Sequence, residues 1–200
     1  MACIGTPAQE AKMTDQPDPL REFMIAAHFN LDGLKAGLEA HPEWLNIDYD
    51  WGPEGGMETP LGAASHVGNR QIAEYLLDRG APLTPAAAAM LGRKDALEAF
   101  IDADPANASA PGAHGIPLLG HAAFSGDVSL VEMLKARGND GSGVSMGLIH
   151  AAGAGHTDMA AWMLDNGADV TAQNFQGKTA IDIAQANGHD GVVALIQNRQ

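Results

Sequence analysis

The chain has 200 residues, 46% hydrophobic, 18% charged and only 5% aromatic, with 11 Lys and Arg against 25 Asp and Glu for a formal charge of −14. The apolar share suffices for a core, and no apolar run approaches the roughly 20 residues that span a bilayer. A charge of this sign is repelled by phosphate backbones and anionic lipid, so neither nucleic acid nor membrane is expected as partner. A protein with a neutral or basic surface, or a small ligand, suits it better.

The first residues (MACIGTPAQEAK) lack a basic segment followed by an apolar one, so no secretory signal is expected. Residues 1–17 are read as a disordered tail and 18–200 as the folded domain. The single cysteine, Cys3, lies in that tail. No internal disulfide can form, which fits a reducing, cytoplasmic location.

From residue 18 onward the chain repeats itself. Small-residue anchors fall at Ala26, Ala64, Ala88, Ala122, Ala151 and Ala184. Four positions after each stand Asn30, Gly68, Gly92, Gly126, Gly155 and Gly188. Eight after come Leu34, Ile72, Ala96, Leu130, Met159 and Val192; twelve after, Leu38, Leu76, Phe100, Leu134, Met163 and Ile196. Three before each anchor lie Phe23, Leu61, Pro85, Leu119, Leu148 and Ile181. Apolar columns one helical turn apart, separated from the anchor by a turn residue, predict two antiparallel helices per unit. Alanine at the anchor permits close approach of neighbouring first helices, and glycine four positions later supplies the tight turn. Asp18-Pro19 and Thr59-Pro60 read as capped helix starts.

Thr59-Pro60-Leu61 with Ala64, Gly68 and Gly80-Ala81 resembles the ankyrin repeat, as does Ala151-Ala152 with Gly155-His156, Asn166-Gly167-Ala168-Asp169 and Gly177-Lys178-Thr179. The resemblance covers residues 18–200. It implies an all-α, ankyrin-type solenoid of about six helix-turn-helix repeats, with short β-turn fingers beside a concave helical surface. Anchor spacings depart from the ankyrin period of about 33. Ala26 to Ala64 spans 38 residues and Ala64 to Ala88 only 24, too few for a full finger. Residues 41–58 form a long loop with Trp44, Tyr49 and Trp51.

In ankyrin-like stacks, positions −1, +2 and +3 around the anchor line the groove. Here they include His28, Phe29, His66, Met90, Leu91, His121, Phe124 and His150. The expected function is a non-catalytic interaction module. It would bind a protein partner through His28, Phe29, Tyr49, Trp51, Glu58, His66, Met90, Leu91 and Phe124, with Asp48, Asp50, Glu54 and Glu58 as an acidic rim. The alternative is a small-molecule-binding protein or enzyme that uses His66, His114, His121 and His150 around an apolar pocket. His28 and His66 could share an ion with Asp48 or Asp50, but no HxxH or CxxC pair appears, and neither metal nor cofactor is expected. GxxxxGK[ST] and GxGxxG motifs do not occur in the sequence. His156 and His189 sit where the ankyrin pattern places a structural histidine.

Overall fold

The computed structural model describes residues 18–53 and 55–199; the expected tail and Glu54 lie outside them. The helices are α1 (Pro19–Phe29), α2 (Leu31–Ala40), α3 (Pro60–His66), α4 (Arg70–Asp78), α5 (Pro85–Leu91), α6 (Lys94–Ala103), α7 (Leu118–Ala123), α8 (Val128–Ala136), α9 (Val144–Ala154), α10 (Thr157–Asp165), α11 (Ala180–Ala186) and α12 (Asp190–Gln197). Each odd-numbered helix packs on the next odd-numbered one, and each even-numbered helix folds back on its predecessor. This is the six-unit, all-α solenoid the columns imply.

Local chemistry sets the boundaries. The side chains of Asp18, Thr59 and Thr84 accept the N–H groups of Leu20, Gly62 and Ala87, each with a proline at the next position. Thr179 and Asp182 form a reciprocal capping box at α11. Gly68, Gly92, Gly126, Gly155 and Gly188 all have φ between +70° and +77°, the left-handed conformation that a side chain resists. Asn30 replaces glycine in unit one because the chain turns differently there. Its φ is −127°, and its side chain caps α2 by accepting from Gly33 N–H at 3.0 Å.

The apolar columns are buried in five units: Leu34, Leu76, Leu130, Leu134, Met159, Met163 and Ile196 are all 0% exposed. Unit three departs from the predicted register. Leu97 and Ile101 are buried there, while Ala96 and Phe100 are only half-buried, so the inward face of α6 is rotated by one residue. α5 (PAAAAML) is thin and buried along six consecutive residues, Ala86 to Leu91. It separates two apolar clusters, giving Ala87, Met90 and Leu91 to the first and Ala88 and Ala89 to the second.

The repeats are also stapled by a polar contact five positions after the anchor. Asn69 donates to the His28 carbonyl at 3.0 Å, His156 to that of Phe124 at 3.1 Å, and His189 to that of Gly153 at 3.1 Å. In each case the acceptor is the +2 carbonyl of the preceding unit, so these histidines are structural.

Phe124 crosses the stack to reach unit two. A Cβ added at Gly68 would lie 2.4 Å from its ring, whereas one at Gly80 would meet nothing within 4 Å. Both glycines have positive φ, so both alanine variants carry backbone strain of about 1–2 kcal/mol. Gly68→Ala is expected to lose more stability than Gly80→Ala in urea denaturation, the excess reporting displacement of the Phe124 ring.

Candidate functional site

The finger between units one and two is a built structure. A 3-10 turn (Pro42–Asn46) precedes β1 (Tyr49–Asp50), which pairs antiparallel with β2 (Met57–Glu58) in the register Tyr49↔Glu58 and Asp50↔Met57. Side chains alternate across a strand, and here the alternation is inverted relative to polarity. Met57 is 56% exposed and Glu58 only 3%.

Glu58 is therefore an acid driven inward, and three imidazoles meet it. His28 comes from α1, His66 ends α3, and His114 sits in a 3-10 turn (Ala113–Gly115) between units three and four. His66 Nδ1 lies 2.7 Å and His114 Nε2 3.0 Å from Glu58 Oε1, and His28 Nε2 lies 3.4 Å from Oε2. The Trp51 indole N–H donates to Oε2 at 2.8 Å. One donor atom from each of His28, Glu58, His66 and His114 falls within 4.8 Å of the other three. The imidazole planes cross at steep angles, 72° for His28 on His66 and 88° for His66 on His114.

Electrostatics follow from this packing. Burial alone would raise the Glu58 carboxyl, but the His28 and His66 imidazoles beside it outweigh that and hold the group well below the usual carboxylate range. Burial would likewise lower His28, yet the Glu58 carboxylate beside it and its bond to the Met24 carbonyl leave it raised. His114 has φ 55°, the one positive value among the described non-glycine residues. Its Nδ1–H donates to the Gly55 carbonyl at 2.7 Å, which locks the ring across the hairpin. A cavity of about 360 Å³ lies beside Glu58, lined in part by Asp48, Thr59, Ser65 and Gly112.

The groove face is divided. Ile25 and Phe29, one helical turn apart on α1, are 39% and 75% exposed. His121 is fully buried, donating Nδ1–H to the Ser65 carbonyl at 3.3 Å, while its Nε2 has no partner. His150 stacks on Phe124 with centroids 4.2 Å apart and donates to the Gly120 carbonyl at 2.8 Å. Burial lowers both histidines to about 4.

Residues 134–184, from the end of α8 into α11, match the family model described as ankyrin repeats in many copies. The fold is an ankyrin-type repeat solenoid. Ankyrin repeats are in general protein–protein interaction modules, and among the described residues no helix is long and apolar enough to cross a membrane.

Within this ankyrin array several expected contact residues are placed elsewhere. Met90 and Leu91 are 1% and 5% exposed, core rather than groove surface. Glu58 is no rim residue. Tyr49 and Trp51 are half-buried and fix the hairpin, Tyr49 by a T-shaped contact with Trp51 at 4.7 Å. Asp48 and Asp50 are exposed and stay outside the imidazole cluster, so the acid that meets His28 and His66 is Glu58 instead. Of the four histidines grouped as an alternative site, His66 and His114 converge with His28, while His121 and His150 bond separately to backbone carbonyls. The hairpin register was the missing signal: strands meeting across residues 51–56 turn Glu58 inward.

Proposed function

We propose that this ankyrin array is a non-catalytic module that binds a protein partner of neutral or basic surface through the open, unit-one end of its groove. The carrying observation is the exposure of Ile25 and Phe29 on one face of α1, beside His28. Met57 adds a third exposed apolar side chain from the neighbouring finger. Aromatic side chains of this kind anchor interfaces, while the −14 charge favours encounter with cationic surfaces. Met90 and Leu91 support the floor of the groove from within, and Phe124 closes its middle.

Affinity capture with the wild-type chain, Ile25→Ser/Phe29→Ser and Phe175→Ser tests this reading. Phe175 is 95% exposed on the finger before unit six and serves as an equally solvent-exposed control. The captured set is expected to be lost from the double variant, kept by Phe175→Ser, and weakened by salt. An identical set on all three proteins defeats the assignment.

A further inference from the structure

We infer that His28, Glu58, His66 and His114 form a binding site for one divalent transition-metal ion, with zinc the best match to the donors. This goes beyond partner binding and stands on separate observations. Three imidazole nitrogens and one carboxylate oxygen are borderline-soft donors of the kind zinc takes four at a time. Bonds of about 2.0–2.1 Å place tetrahedral ligands about 3.4 Å apart; Glu58 Oε1 lies 2.7 Å from His66 Nδ1 and 3.0 Å from His114 Nε2, and one donor atom from each of the four residues falls within 4.8 Å of the others.

The outer contacts already orient the rings. A carbonyl oxygen can only accept, so the Met24 carbonyl, 2.8 Å from His28 Nδ1, places the proton on that nitrogen. The Gly55 carbonyl does the same to His114 Nδ1. Each ring therefore presents Nε2 to the carboxylate. In a neutral imidazole so fixed, Nε2 carries a lone pair, and a lone pair facing a carboxylate oxygen repels it. A cation between them turns that repulsion into coordination. Metal-bound histidines commonly donate the other ring N–H to a carbonyl in this way, and ligating carboxylates are themselves hydrogen-bonded. Trp51 supplies that bond to Oε2, which leaves Oε1 free. Buried Glu58 Oε1 and His66 Nδ1 each lack a hydrogen bond of ordinary geometry despite their closeness. Both atoms are aimed into the cluster.

Four protein donors make a closed, structural type of site. It would tie α1, α3, the first finger and the turn before unit four, joining positions 28 and 114 of the chain. Such a tie suits an array with no full finger between units two and three.

The test uses the full chain without a polyhistidine tag, stripped with chelator and titrated with zinc against a chromophoric competitor. Cobalt is added separately for its visible spectrum. We expect one ion per chain, intense bands of tetrahedral cobalt, and a raised melting temperature. His114→Gly keeps the left-handed backbone while removing a donor, and His66→Ala removes another. Each should weaken zinc by at least the about 10–100-fold that loss of an outer partner costs. Cys3→Ser and His41→Ala should bind as the wild type does. No saturable ion, or equal binding by His114→Gly and His66→Ala with folded circular-dichroism spectra, overturns the site. Loss of binding in Cys3→Ser does so as well, by assigning the ion to the thiol.

Discussion

Leu134→Ala is expected to lower the free energy of unfolding by about 2–5 kcal/mol, the range for deleting a buried leucine side chain. Leu134 is 0% exposed and lies in the cluster that joins units three to six. Each unit of a solenoid is stabilised by its neighbours, so a cavity in α8 weakens two interfaces together. Urea denaturation followed by circular dichroism measures the loss. A paired comparison reads the register of α6. Ile101→Ala should cost more than Phe100→Ala, although phenylalanine loses the larger group, because Ile101 is 1% exposed and Phe100 only half-buried. Equal losses would restore the unrotated register. An unchanged midpoint for Leu134→Ala would remove the stacked core itself.

The fold was legible because its signal is repeated. Six alanine anchors, five turn glycines and two apolar columns state the same unit many times, so one irregular element could not obscure it. The slip in α6 escaped because Ala96 and Phe100 satisfy the column as well as Leu97 and Ile101 do; only packing chooses between them. The site was legible in its histidines and not in its acid. His28 and His66 share a repeat position, which places them side by side. Glu58 belongs to a finger outside the repeat period, and its direction depends on strand pairing across six residues, 51–56, three of them glycine. His114 gave a weak local cue. It is flanked by Gly112 and Gly115, and its own backbone adopts the left-handed conformation. Met90 and Leu91 misled because unit three is too short to hold its neighbours apart, and Phe124 closes over the gap to Gly68.

Acidification is expected to destabilise the array in a window that His121 and His150 define. Both have folded values lowered to about 4 from an ordinary 6.5. The unfolded chain therefore binds more protons between these values, and stability rises with pH across them. Stability is fully present above about pH 6.5, falls as pH drops, and its loss is complete below about pH 4. Burial drives the shift; for His121 the nearby His150 and His66 add to it, and for His150, His66 does. A shift of this size corresponds to about 3 kcal/mol for His121. The other shifted groups of the imidazole cluster have different signs or ranges. His28, raised, favours the folded state as pH falls, and Glu58, lowered, withdraws stability only below the ordinary carboxylate value of 4.5. His121→Asn isolates the contribution of His121. Asparagine can still donate to the Ser65 carbonyl but does not titrate. Urea midpoints at pH 7.5 and pH 5 should differ less for His121→Asn than for the wild type. Equal pH dependence in the two proteins would mean that His121 is protonated in the folded chain, which its fully buried and unpartnered Nε2 opposes.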